Sequence, residues 1–178
     1  MLFRSTGLGH PLLPDAARVN NDVQLGTAGL FLLITGSNMS GKSTLLRSIG
    51  VNIVLAQAGG PVCAAKLRLP PVQLATSIRV RDSLEDGVSF YMAELMRLKE
   101  IVDQAVAFAE HPDRKLVYLL DEILQGTNSQ ERRIAVVRVL SHLVRHDAIG
   151  AISTHDLDLA ASDELVDRFL PVHFRETL

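Results

Sequence analysis

Gly36-Ser37-Asn38-Met39-Ser40-Gly41-Lys42-Ser43-Thr44 decides the fold of this chain. The stretch fits G-x-x-x-x-G-K-[ST], the pattern of a phosphate-binding P-loop. Before it, Leu30-Phe31-Leu32-Leu33-Ile34-Thr35 is an apolar run that reads as a buried strand. After it, Leu45, Leu46, Ile49, Ile53 and Val54 recur at helical spacing. The motif therefore lies between a strand and a helix, as its chemistry requires. Its glycines let backbone N–H groups converge on phosphate oxygens, and the helix N-terminus adds the positive end of a dipole. In this pattern Lys42 reaches the β- and γ-phosphates and the Ser43 hydroxyl ligates Mg²⁺.

Working outward, the second half of such a site is legible in Leu116-Val117-Tyr118-Leu119-Leu120-Asp121-Glu122. An apolar strand ending in adjacent acids reads as a Walker B element, because ligands of α/β sheets bind beyond the carboxyl ends of the strands. Asp121 is expected to hold Mg²⁺ through water. Glu122 is expected to orient or deprotonate the attacking water. A third strand, Ala148–Ser153, runs into Thr154-His155-Asp156, which puts His155 at the same sheet edge and within reach of a γ-phosphate. Between them, Gln125-Gly126-Thr127-Asn128-Ser129 is a small polar loop. Asn128 or Ser129 also suits the N-cap of the helix that follows.

The rest of the chain fits that frame. Residues 1–29 are turn-rich and predict one or two short strands. Gly59-Gly60-Pro61 ends the first helix. Leu74–Val80 alternates as a half-exposed strand, and Arg81–Gly87 is a polar loop. Phe90, Ala93, Leu98, Ile101, Val102, Ala105 and Val106 stripe a long helix bounded by Pro112. Ile134, Val137, Leu140 and Val144 mark another helix, and Asp156–Val166 a short one. Strands alternating with helices predict an α/β fold with a mainly parallel central sheet flanked by helices.

Composition narrows the class. The 178 residues predict one domain spanning 1–178, and a formal net charge of −2 supplies no global basic field for nucleic acid. The single cysteine, Cys63, permits no internal disulfide, suits a reducing compartment and is expected in core packing. The chain shows no long apolar run and no signal-peptide pattern, so the expectation is a soluble, cytoplasmic protein with no membrane segment.

Taken in order, these motifs resemble those of ABC-type ATPases, and in detail the carboxy-terminal ATPase domain of the MutS mismatch-repair family. The loop Gly36–Thr44 resembles that family's G-P-N-M-G-G-K-S-T, with Asn38-Met39 the restrictive match. Val19-Asn20-Asn21-Asp22-Val23 resembles F-I-P-N-D-V, which lies beside the nucleotide base, so Val19 and Asn21 join the loop residues as nucleotide contacts. Ser89-Phe90-Tyr91-Met92-Ala93-Glu94-Leu95 resembles S-T-F-M-V-E-M, a signature that reaches across a dimer. Leu120–Ile123, Gly126–Ser129 and Thr154-His155 resemble M-D-E-I, G-T-S-T and T-H. The resemblance implies ATP and Mg²⁺ as ligands, with Lys42, Glu122 and His155 catalytic. It also implies a homodimer with composite ATP sites in which Ser89 acts in trans, and DNA contacts through domains outside this chain.

Departures are specific. Arg18 stands where the family has an aromatic beside the adenine, and Ser37 and Ser40 replace Pro and Gly. Phe108-Ala109-Glu110 matches the mismatch-reading Phe-x-Glu as letters only, on a predicted helix. Nothing corresponds to mismatch-binding, connector, lever or clamp domains, so the expectation is a fragment or a divergent relative. Two alternatives stay open: an ABC-type ATPase of another class, and a nucleotide-gated dimerisation module that does not act on mismatches.

Overall fold

The computed structural model describes residues 3–26, 30–78, 90–111, 113–124, 128–156, 159 and 162–175. In chain order its elements are β1 (Phe3–Leu8), β2 (Asn21–Leu25), β3 (Phe31–Gly36), α1 (Lys42–Gln57), β4 (Lys66–Arg68), β5 (Val72–Ser77), α2 (Phe90–Ala109), β6 (Lys115–Asp121), α3 (Ser129–Arg145), β7 (Ile149–Ser153) and β8 (Phe169–Phe174). The three apolar runs picked out in the sequence are β3, β6 and β7. They sit side by side in a five-stranded sheet of order β5-β6-β7-β3-β8 whose four pairings are all parallel. A smaller antiparallel sheet has order β2-β1-β4.

Both faces of the parallel sheet are covered, which is why its central strands read as continuous apolar runs. Successive side chains alternate between two cores. Phe31 and Leu33 join Leu98, Ile101, Leu140 and Leu143 under α2 and α3. Leu32 and Ile34 join Leu45, Leu46, Ile49 and Ile53 of α1, together with Phe3, Val23 and Leu25 of the small sheet. Buried Asn52 fastens that second layer: its amide donates to the carbonyls of Gly9 (3.0 Å) and Ser48 (2.8 Å), and its oxygen accepts from the Cys63 N–H (2.6 Å). Cys63 itself is a free, partly buried thiol beside this knot, less enclosed than its sequence neighbours suggest.

Several expectations need correction. Val54, Val106 and Ile134 carry the right spacing but point outward at 56%, 47% and 51% exposure, because each helix buries only the stripe that meets the sheet. The half-exposed strand begins at Val72, two residues early, while Arg79 and Val80 lie outside the described residues. So do Arg81–Gly87, Ser89 and Pro112. Of the short helix expected over Asp156–Val166, residues 157, 158, 160 and 161 lie outside the described residues; Leu159 occupies a 3₁₀ position and residues 163–166 are turns. Leu159 and Leu165 are buried and anchor the segment to the core. β8 is an element that the sequence reading did not identify. Among the described residues, no helix is long and apolar enough to cross a membrane.

Candidate functional site

Parallel pairing brings the carboxyl ends of β3, β6 and β7 to one edge. Ile34 and Asp121 both register with Ser153. The loop leaving β3 turns through backbone that glycine allows. Gly36 has φ +148°, and a Cβ there would meet the Phe174 carbonyl oxygen at 2.6 Å. Gly41, the N-cap of α1, has φ +98°. Met39 adopts φ 69° without being glycine, and its side chain is 99% exposed at the loop tip. Ser37, Asn38 and Thr44 are also exposed, while Ser40 and Ser43 are partly buried.

Lys42 folds back into this loop. Its ammonium is buried and donates to the carbonyls of Gly36 (3.0 Å) and Ser37 (2.7 Å). It also lies 3.7 Å from Glu122 Oε1. A buried ammonium needs such partners, because an unpaired one would carry the full desolvation penalty.

Glu122 is the hub. It follows β6 in left-handed backbone, φ 48°. Its N–H is shared between the Ser153 carbonyl (3.1 Å) and Ser153 Oγ (3.2 Å). Ser153 Oγ in turn donates to Asp121 Oδ1 at 2.5 Å. The turn aims Glu122 Oε1 at Lys42 on one side and at His155 Nε2, with which it pairs, on the other. Two further bonds fix the histidine's loop: Thr154 N–H to the Ile34 carbonyl (3.0 Å) and Asp156 N–H to Thr154 Oγ1 (3.0 Å). Lys42, Glu122 and His155, chosen separately in the sequence, are thus one connected group.

Two grooves flank it. One, of about 450 Å³, is lined by Glu122, Ser153, His155, Asp156 and the first turn of α3, including Arg132 and Arg133. Asn128 caps that helix by accepting from the Glu131 N–H at 2.9 Å, as the sequence suggested. The other groove, of about 600 Å³, runs along the outside of the glycine loop. Val19, Asn21, Met39, Ser40, Gly41 and Thr44 line it together with Leu13 and Val172–Arg175. Asn21 also donates to the Val19 carbonyl at 3.3 Å, which links the two residues taken from the F-I-P-N-D-V likeness. Arg18 is not among the lining residues; its guanidinium is bound to the Leu13 carbonyl and to Asp15. Ser89, Gly126 and Thr127 lie outside the described residues.

Four participants escaped the sequence reading. His173 and Phe174 reach the second groove from β8, and His173 Nδ1 shares a hydrogen bond with Thr35 Oγ1 at 3.0 Å. Ser153, fully buried, ties Asp121 to Glu122. Glu94 of α2 is buried, and that burial raises its carboxyl above its ordinary value.

The fold and site define an α/β protein whose acidic, basic and imidazole groups meet at the carboxyl edge of a parallel sheet. The family description "MutS domain V" matches residues 32–177, and the chain belongs to that family. The chain is 35% identical over 175 residues to "DNA mismatch repair protein MutS 2" of Halobacterium salinarum, covering 94% of this chain and 19% of that one. To "Endonuclease MutS2" of Thermus thermophilus it is 33% identical over 147 residues, 82% of this chain and 18% of that one. To "DNA mismatch repair protein MSH6" of Arabidopsis thaliana it is 32% identical over 160 residues, 85% of this chain and 12% of that one. The chain thus spans about a fifth or less of these curated relatives.

Proposed function

We propose that this chain is a Mg²⁺-dependent ATPase module of the ABC type, one domain over 1–178, whose nucleotide state governs a homodimer serving DNA mismatch repair or recombination-type DNA handling. The observation that carries the reading is the convergence of Lys42, Glu122 and His155 beside the glycine loop. In this reading Gly36–Thr44 is a P-loop, and Lys42 exchanges its two loop carbonyls for phosphate oxygens. The nucleotide base faces the groove that Val19 and Asn21 line. The Ser43 hydroxyl and the Asp121 carboxylate are hard oxygen donors at the loop and the adjoining strand end, a set that fits Mg²⁺. The ion supplies charge neutralisation at the phosphates. Glu122 accepts a proton from the attacking water, and His155 holds that carboxylate in place and lies near the γ-phosphate. Ser89 completes the site of a second copy, and DNA is met through domains outside this chain.

ATP turnover per chain should rise with protein concentration, because each site needs a partner. Turnover per chain constant down to nanomolar protein would sink the composite site. Glu122→Gln should keep ATP binding, lose about 10²–10⁴-fold in turnover, and run as a dimer on a sizing column with ATP. A parent that binds ATP and dimerises without hydrolysing it would favour the nucleotide-gated dimerisation module instead.

A further inference from the structure

We propose that the open face of the small antiparallel sheet is a contact for the phosphate backbone of duplex nucleic acid, made by Arg4, Lys66 and Arg68. The inference goes beyond the ATPase reading and does not rest on it. It adds a sequence-independent contact within this chain to those assigned to other domains.

The face is basic although the chain as a whole is not. Across β2, β1 and β4 the outward side chains include three cations, Arg4, Lys66 and Arg68, and one acid, Asp22. The acid is already engaged: its Oδ1 accepts from the Gly7 N–H at 2.8 Å. Among the described residues, none of the three cations forms an ion pair. Arg4 stands directly opposite Arg68, and Lys66 directly opposite Thr6. Opposed residues lie about 5 Å apart and alternate residues of one strand about 7 Å apart. The three charges therefore converge on one groove of about 620 Å³, lined by Arg4, Thr6, Lys66, Leu67 and Arg68.

The fold gives no reason for this arrangement. Like charges directly opposed weaken a sheet. Charges on an edge strand discourage pairing with another chain, which accounts for Lys66 and Arg68 on β4. Arg4 lies on β1, the middle strand, where no edge needs guarding. A local rule broken at a cost in stability marks a place where an outside partner supplies the missing counter-charge. The chemistry of the face selects that partner. A duplex carries one negative charge per about 1.7 Å of its axis, whatever its sequence, and so offers several anions to three clustered cations at once. Long, unpaired cations follow phosphates without fixing a base. The outward positions of the three strands hold no aromatic ring on which an unpaired base would stack.

Fluorescence anisotropy of a labelled duplex, titrated with the full chain at several salt concentrations and read beside Tm, tests the contact. Each cation on a phosphate contributes about 0.9 to the slope of log K against log salt. Arg4→Gln, Lys66→Gln and Arg68→Gln combined should reduce that slope by about 2.7 and, at about 50 mM salt, weaken binding roughly tenfold per cation. Arg68→Glu alone should weaken binding while holding or raising Tm, which separates the contact from damage to the sheet. Two unrelated duplex sequences should lose affinity equally. A parent that binds no duplex at about 50 mM salt overturns the proposal, as does an unchanged affinity or slope in the combined variant. A dependence on sequence overturns the backbone contact. Poly-glutamate that displaces the duplex at equal charge concentration overturns it too, and assigns the face to an acidic protein segment. Nucleotide enters none of these measurements, so failure of the ATPase reading leaves their outcome unaffected.

Discussion

The two sheets are built on opposite rules. In the parallel sheet, adjacent residues such as Leu33 and Ile34 are both buried, one in each core. In the antiparallel sheet, Phe3, Ser5 and Leu8 face inward while Arg4 and Thr6 face out, with a bulge between Ser5 and Leu8. A strand enclosed on both faces has no free side chain along its length, so its chemistry must come at its end. Asp121, Ser153 and the loop after Gly36 are all strand-end features. A strand with one open face keeps polar side chains along its length, and there the outer surface carries Arg4, Lys66 and Arg68.

Alanine substitutions of neighbours along a strand should separate the two rules most widely. Leu33→Ala and Ile34→Ala should each cost about 2–5 kcal/mol, whereas Arg4→Ala should stay within about 0.5 kcal/mol. Chemical denaturation measures both, and an equal cost at Arg4 would break the distinction. A smaller effect concerns the helices over the parallel sheet. The Glu94 carboxyl is raised in the folded state above its ordinary 4.5, so its contribution to stability is full below that value and is lost as pH rises through the folded pKa. Glu94→Gln removes this loss. Its stability relative to the parent should therefore grow from pH 4 to pH 7, as read from denaturation midpoints, and a constant difference would show that the carboxyl titrates normally. The smallest effect lies on the open sheet, where Arg4 stands directly opposite Arg68. Arg68→Glu should stabilise by about 0.2–1 kcal/mol, and the gain should shrink in high salt. A loss of stability would mean that the two guanidinium groups do not repel across the strands.

The same contrast explains what the sequence disclosed. β3, β6 and β7 were legible because burial on both faces demands unbroken apolar runs. The lead-in predicted one or two strands; its described residues hold two, and the first of them also pairs with a third strand, Lys66–Arg68, too short to show a period. Lys42, Glu122 and His155 were identifiable because strand-end chemistry sits at fixed offsets from those runs. Ser153 was visible only as the last letter of a strand, since its role depends on the 32-residue separation from Asp121 being closed by parallel pairing. Glu94 stood in a quoted motif, yet its burial follows from how α2 packs against β5, β6 and α3, which no local pattern encodes. β8 was hidden by Pro171, a residue that argues against a strand unless the strand lies at an edge.

That proline sets a boundary on assembly. Phe31 donates its N–H to the Arg168 carbonyl, which in a parallel ladder turns the N–H groups of Leu170, Val172 and Phe174 inward and leaves position 171 facing out. Proline there has no hydrogen to offer, so the open side of the outermost strand lacks a donor at its middle. A sheet edge of this kind is a poor template for another chain. Whatever this chain associates with, continuous extension of the β-ladder past β8 is disfavoured, and the same interruption guards against fibrous aggregation.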